Sequence, residues 1–150
     1  MFRSGQRGFT MIELVVVIVI LGILAAFALP RFMGLENQAR VAAVNGMTGS
    51  VRSAANMAHG VWLANGNVTP IVVDGQNIAI INGYPDAAGI QTLIQDTSGF
   101  AVAVAAPKTT FTPNGARTPA TCNVAYNQAA NVNTAFTLTV QTPATLQTSC

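Results

Sequence analysis

The 150-residue sequence has few of the side chains that catalytic and metal-binding sites need. It contains one histidine, His59, two cysteines and five acidic residues, without a Ser/His/Asp, Cys/His or paired-carboxylate pattern. A Gly-rich phosphate loop is also missing. Asp74, Asp86 and Asp96 do not have the spacing of a calcium loop. We therefore expect no enzyme, no metal site and no cofactor.

Charge is equally scarce, with charged residues making up 8% of the chain. The basic residues beyond the first thirty positions are scattered: Arg31, Arg40, Arg52, Lys108 and Arg117. A nucleic-acid interface concentrates such residues on one face. The scatter argues against a nucleic-acid partner.

A long apolar run follows a short basic leader, MFRSGQRG, and contains one charged residue, Glu13. With Thr10 to Ile12 included, the run is about twenty residues long, enough to cross a hydrocarbon core of about 30 Å. A carboxylate at the centre of such a helix costs about 2.5–3.5 kcal/mol, and less near its end. Glu13 therefore needs a partner, or it reaches the membrane interface by snorkelling.

The apolar run continues into a second helical pattern. The small residues of Ala25 to Ala28 would suit the cleavage site of an ordinary signal peptide, but the run does not end in a loop there. Apolar residues recur at three- and four-residue steps from Leu35 to Trp62, and Asn65-Gly66-Asn67 follows. We expect one helix from about Thr10 to about Leu63.

Two positions weaken this predicted helix. Pro30 lacks an amide N–H and crowds the preceding turn, which predicts a kink. Gly22 costs roughly 1 kcal/mol relative to alanine. Glycines in this helix could allow close approach of neighbouring helices. Alternatively, the stretch between Gly22 and Pro30 loses helix when its surroundings change.

The rest of the chain predicts a small head of short strands. Asp74-Gly75 between two apolar stretches indicates a hairpin. We expect a short helix at Ala87–Gln95, strands at Phe100–Ala105, Cys122–Tyr126 and Ala135–Val140, and a loop at Pro107–Thr121. Because this part is small for an independent core, it should pack on the amphipathic part of the helix. The predicted fold class is α+β, a long N-terminal helix on a small antiparallel sheet.

The N-terminal residues resemble a known family. Gly8 ends the leader, Phe9-Thr10-Met11-Ile12-Glu13 follows, and the apolar run reaches Pro30. This combination is similar to the N-terminus of type IV prepilins, with Met11 where leucine is usual. The resemblance implies that a prepilin peptidase cuts after Gly8 and methylates Phe9. It also implies that Glu13 pairs with the N-terminal amine of a neighbouring subunit, and that the helix unwinds locally between Gly22 and Pro30 in filaments.

The resemblance also implies an organisation and a location. Residues 1–8 form a leader, 9–30 a hydrophobic transmembrane and assembly helix, and 31–150 a globular head that includes the amphipathic half of the helix. The precursor would lie among the lipids of a Gram-negative inner membrane, be handled by an inner-membrane assembly platform, and become a homo-oligomeric helical filament on the cell surface. Loss of Arg3 and Arg7 with the leader would leave five basic and five acidic residues, and those two arginines fit the positive-inside rule.

Cys122 and Cys150 are the two cysteines. In an exported chain an even pair predicts a disulfide, although two free thiols are the alternative. Closing a loop of this length contributes ~3.5 kcal/mol in the chain-entropy model. The segments NGYPDAAG, TCNVAYNQAA and TAFTLTVQT, with the terminal cysteine, resemble pilins of the mannose-sensitive haemagglutinin type.

Three functions fit these patterns. The chain could be a structural pilus subunit used for adhesion, a pseudopilin of a type II secretion system, or a monomeric membrane-anchored binding domain. The cysteine pair favours the pilus over the secretion system. Glu13 argues against the simple anchor, which gains nothing from a carboxylate in its apolar run.

The first prediction concerns processing. The mature protein should begin at N-methylated Phe9, and Gly8→Val should leave an uncut membrane precursor because the side chain at the cleavage junction is changed. Mass spectrometry of the mature N-terminus measures this. A mature chain that begins after Ala26 or Ala28 would instead identify an ordinary signal peptide.

Overall fold

The structure is a computed structural model that describes residues 8–150, apart from the side chains of residues 29–33. Its elements in chain order are α1 (Met11–Ala64), β1 (Ile71–Val73), β2 (Gln76–Ile78), β3 (Ile80–Ile81), β4 (Tyr84–Pro85), α2 (Ala87–Leu93), β5 (Phe100–Ala105), β6 (Lys108–Pro113), β7 (Val124–Asn127), β8 (Thr137–Val140) and α3 (Pro143–Ser149). The long N-terminal helix followed by antiparallel sheets confirms the predicted α+β class.

The chain divides into two compact units, one that ends at Glu36 and one formed by Asn37–Cys150. Helix α1 contributes residues to both units. The leader, apart from Gly8, lies outside the described residues. The division of the chain after residues 8 and 30 stays a prediction.

Helix α1 ends where the sequence predicts. The Gly66 N–H donates to the Leu63 carbonyl at 3.2 Å, and the Asn67 N–H donates to the Trp62 carbonyl at 3.0 Å. This pair of bonds is a Schellman motif, which satisfies carbonyls that the end of a helix would otherwise leave unpaired. The helix therefore stops at Ala64 because the following residues close it.

One face of α1 forms a wall of the core in the second unit. Val44, Met47, Val51 and Ala55 are spaced at three- and four-residue steps, and all four are buried. They join a cluster with buried residues of the sheet and the short helices: Ile90, Phe111, Cys122, Val124, Tyr126, Leu146 and Cys150. The helix thus supplies apolar surface that the small sheet could not provide alone, as predicted.

The main sheet has four antiparallel strands in the order β5-β6-β7-β8. Val102 pairs with Phe111, and Phe111 pairs with Val124 on its other side. The predicted strand at β5 has the observed bounds, and β7 and β8 begin two residues later than expected.

The predicted loop over Pro107–Thr121 is wrong in its first half. Lys108–Pro113 forms β6, and its side chains alternate, with Thr109, Phe111 and Pro113 buried. Threonine and phenylalanine favour a pleated, half-buried surface. Pro113 is tolerated because it ends the strand. Its proline and threonine residues made this segment resemble a loop.

Two smaller features match the sequence patterns. β1 and β2 pair as a hairpin around Asp74 and Gly75, whose φ angles are 48° and 76°. Positive φ at both central residues is the preference of a two-residue hairpin turn. Helix α2 begins behind Asp86, whose carboxylate accepts a hydrogen bond from the Gly89 N–H at 2.6 Å.

The C-terminal helix α3 was not expected from the sequence. No helix was expected after the predicted strand at Ala135–Val140, but Pro143–Ser149 is helical. Thr142 accepts a hydrogen bond from the Thr145 N–H, and Pro143 occupies the first turn. A threonine cap followed by proline is a helix-start signal that was overlooked.

A disulfide and two side-chain hydrogen bonds hold the C-terminus, together with backbone bonds such as that from the Thr118 N–H to the Ser149 carbonyl at 2.8 Å. Cys150 is joined to Cys122 by a disulfide with an S–S distance of 2.09 Å. Arg40 Nη1 donates to the Cys150 carbonyl at 2.9 Å, and the Asn37 side-chain amide donates to the Gln147 carbonyl. These contacts link α3 to the segment before β7 and to α1.

The second prediction concerns this disulfide. Cys150→Ser should lower the free energy of unfolding by about 2–5 kcal/mol, because the unfolded chain is no longer constrained. Denaturant titration of the full chain in detergent measures the loss. The double variant Cys122→Ser/Cys150→Ser is the control, and it should lose about as much as the single variant because the bond is already absent. Two free thiols in non-reducing peptide maps of the exported protein would contradict the prediction.

Candidate assembly site

The N-terminal part of α1 is apolar and uncovered. Met11–Ala28 has a mean hydropathy of 2.9, and none of these residues is buried. Ile12 is 72% exposed and Phe27 is 76% exposed. By length and composition this segment could cross a membrane, and a signal sequence would meet the same test. Its exposure distinguishes it from the core helix of a soluble domain.

Glu13 belongs to a hydrogen-bonded box at the start of this helix. Its Oε2 accepts from the Thr10 N–H at 2.9 Å and from the Thr10 hydroxyl at 2.7 Å. In return, the Glu13 N–H donates to Thr10 Oγ1 at 3.3 Å. These reciprocal contacts form a capping box. They hold the carboxylate beside the helix N-terminus, where the helix dipole favours negative charge.

The capping box explains a residue pattern that our sequence reasoning missed. Thr10-Met11-Ile12-Glu13 matches the S/T-x-x-E signature directly before an apolar run. Glu13 therefore has a structural task within one subunit, in addition to any role between subunits. An experiment on Glu13 has to separate these two roles.

The predicted cleavage and methylation positions are accessible. Gly8 and Phe9 precede α1 and have no helical or strand structure, and Phe9 is 78% exposed. A side chain built at Gly8 would meet no atom within 4 Å. An enzyme could reach this junction, while the cleavage itself stays a prediction.

The two predicted weak points are helical here. α1 includes both position 22 and position 30. The Pro30 side chain lies outside the described residues, and a side chain at Gly22 would meet no atom within 4 Å. Local unwinding in a filament stays a prediction.

His59 is held by structural contacts in the head. Its Nδ1 lies 2.7 Å from the Gly83 carbonyl, which can only accept, so Nδ1–H is the donor. Its ring stacks on Tyr84 at a centroid distance of 4.4 Å and lies 5.6 Å from the ring of Trp62. The ring and its polar tip thus fasten the β3–β4 hairpin to α1.

Two acidic side chains of the head, Asp86 and Asp96, have local partners as well. Asp86 caps α2, and Asp96 accepts from the Ser98 N–H at 2.9 Å. That bond holds the pKa of Asp96 below its usual range. Within residues 8–150, no three His, Cys, Asp or Glu side chains come together as a metal site.

Known proteins are similar to this chain above all in its N-terminal segment. Residues 3–29 match the family described as "Prokaryotic N-terminal methylation motif". The type IV narrow pilus major component PilA5 of Thermus thermophilus is 54% identical over 52 residues, which cover 35% of this chain and 45% of that protein. The type II secretion system core protein G of Pseudomonas aeruginosa is 46% identical over 57 residues, covering 38% and 40%. No solved structure matches.

One relative matches well beyond this segment. The fimbrial protein EcpC of Eikenella corrodens is 30% identical over 110 residues, which cover 69% of this chain and 72% of that protein. The uncovered apolar helix, its box of Thr10 and Glu13, and these relatives together define the class: the chain belongs to the type IV pilin family. It spans less than half the length of the first two relatives named above.

The third prediction tests the packing around His59. A Cβ at Gly83, where φ is 88°, would lie 3.1 Å from Trp62 Cζ3 and 3.3 Å from His59 Nδ1. Gly83→Ala should therefore lower the free energy of unfolding by about 1–3 kcal/mol more than an alanine substitution that introduces backbone strain without a steric clash. Gly75→Ala is the matched control, because φ is 76° there and no atom lies within 4 Å. Denaturation followed by Trp62 fluorescence measures both, and equal losses would refute tight packing at Gly83.

Proposed function

We propose that this chain is a structural subunit of a type IV pilus that serves surface attachment. It is made as a membrane-anchored precursor, cut after Gly8 by a prepilin peptidase and methylated on Phe9. An inner-membrane assembly platform of a Gram-negative cell then moves it from the lipid into a surface filament. The observation that carries this proposal is the uncovered apolar helix of Met11–Ala28, which contains a single carboxylate at its start.

The physical argument begins with the cost of exposing this helix. Fully burying one valine, leucine or isoleucine side chain contributes about 1.5–3 kcal/mol. A segment of this composition therefore has to be covered by lipid or by other helices. Bundling with the same segment of other subunits covers it once the subunit leaves the membrane.

Glu13 gives this bundling its specificity. A charge in an apolar environment is costly unless an opposite charge lies beside it. The capping box holds the carboxylate at the N-terminal end of the helix. Cleavage after Gly8 would create an amine on Phe9, and the amine of a neighbour shifted along the filament axis could reach that carboxylate. The pair would set the axial register of the subunits.

A pseudopilin of a type II secretion system is the second candidate. The match to core protein G favours it, but that match covers 57 residues, which is 38% of this chain. The match to a fimbrial protein continues through 110 residues and thus includes head sequence. That difference, together with the disulfide that closes the head, favours the pilus.

The fourth prediction separates the two roles of Glu13. Glu13→Val should leave membrane insertion and cleavage intact, because the segment becomes more apolar, yet should abolish surface filaments. Thr10→Val is the matched control: it breaks the same capping box, at a cost of about 1 kcal/mol, but keeps the carboxylate. Electron microscopy and immunoblots of sheared filaments measure assembly, and immunoblots of the membrane fraction measure the processed pool.

Three results would contradict the proposal. Normal filaments from Glu13→Val would show that the carboxylate is unnecessary for docking. Equal loss of filaments from both variants would assign Glu13 to helix capping. If deleting the gene leaves the surface pili unchanged but stops protein secretion, the chain is a pseudopilin.

A further inference from the structure

The head contains an open groove that none of the roles described above uses. Its volume is about 820 Å³. One wall is a face of α1, a second is the β1–β2 hairpin, and a third is the C-terminal end of α2 with the residues that follow it. The α1 wall consists mainly of small side chains: Gly46, Gly49, Ser50, Ser53 and Ala54, with Met57 at one end. Small side chains leave room for another segment of chain to approach closely.

The groove has an acidic rim. Asp74 of the hairpin turn and Asp96 beyond α2 both line it, and both are exposed. Among the described residues that line the groove, these are the charged ones, so the lining carries a net negative charge. Two of the five acidic residues of the chain thus face one cavity. The hydrogen bond from the Ser98 N–H holds the pKa of Asp96 below its usual range.

A complementary shape lies elsewhere on the same head. The turn between β5 and β6 runs from Ala105 to Lys108, and all four of its residues are exposed. Two alanines and a proline make its tip small and apolar, and Lys108 is the only lysine in the sequence. A narrow apolar tip with one positive charge matches a groove with a small-residue wall and a negative rim.

The tip cannot enter the groove of its own subunit. Asp96 lies just before β5 begins at Phe100, and the turn follows where β5 ends at Ala105. Six extended residues span about 17 Å or more. The two surfaces are therefore available to two different copies. An interface between two different patches on identical chains is head-to-tail, and it propagates into an open filament when the rotation does not close.

We propose that the β5–β6 turn of one subunit docks in the groove of a second copy of this chain, with Lys108 facing Asp96. This contact rests on the proposed pilus function and adds a head-to-tail contact between the heads of two subunits to the bundling of the apolar helices. Asp74 contributes a second carboxylate on the far side of the groove. The contact selects copies of this chain over pilins that lack either the lysine or the acidic rim.

The test is a charge swap in the full chain, made in the bacterium that produces it. Lys108→Glu and Asp96→Lys should each reduce sheared surface filaments by about tenfold or more, since each places like charges together. The double variant Lys108→Glu/Asp96→Lys should restore filaments to within about threefold of the wild type, because the attraction is re-formed in reverse. Arg117→Glu is the matched control for the change in net charge, and it should assemble normally.

The outcomes separate this contact from the proposed function. If the wild-type chain is absent from surface filaments, the pilus function itself fails. If wild-type filaments form and Lys108→Glu behaves like Arg117→Glu, the groove contact is wrong. A double variant no better than the single variants also overturns it, as would a partner other than a second copy recovered in the groove.

A second measurement does not depend on how the variants fold. A carbodiimide joins an amine directly to a carboxylate, and Lys108 carries the only side-chain amine of the sequence. In wild-type filaments, mass spectrometry should recover Lys108 linked to Asp96 or Asp74 of another subunit, and dilution into detergent before treatment should remove the link. Links from Lys108 only to Asp86 or Glu36 would contradict the proposal.

Discussion

The need to cover the apolar segment of α1 is the constraint on which the rest of this protein depends. Eighteen consecutive residues, from Met11 to Ala28, have none of their side chains buried. No contact within the described chain compensates for that exposure, so lipid or other subunits must do so. Glu13 sits at the start of this segment and is its one charged group. An apolar surface alone would bundle in any register, whereas a single carboxylate that needs a cation permits few registers.

The head has a different requirement, because it is small for an independent core. One face of α1, from Val44 to Ala58, forms part of its core. It closes its C-terminus with the Cys122–Cys150 disulfide. Buried Tyr126 donates its hydroxyl to the Pro85 carbonyl at 2.6 Å, which ties the sheet to the β3–β4 hairpin. The same helix therefore has an uncovered apolar segment in its first part and a face that completes the core of the head in its second.

Local signals explain which parts of the fold could be predicted from the sequence. The end of α1, the hairpin at Asp74-Gly75 and the start of α2 at Ala87 depend on adjacent residues, and all three were predicted. Strand β6 was missed because Phe111 gains its burial from β7 and from α1, which are distant in sequence. Helix α3 and the capping box were missed although Thr142-Pro143 and Thr10-x-x-Glu13 carry signals. The groove could not be predicted, because it joins α1, the hairpin and α2 in space.

The most direct test of this account is a high-resolution structure of the assembled filament. We expect the Glu13 carboxylate of one subunit to lie within about 4 Å of the Phe9 amine of a neighbour, the distance of an ion pair. We also expect the Met11–Ala28 segments to be covered by one another at the filament centre. A filament in which Glu13 contacts only Thr10 of its own chain, or in which these segments remain outside the bundle, would contradict the central claim.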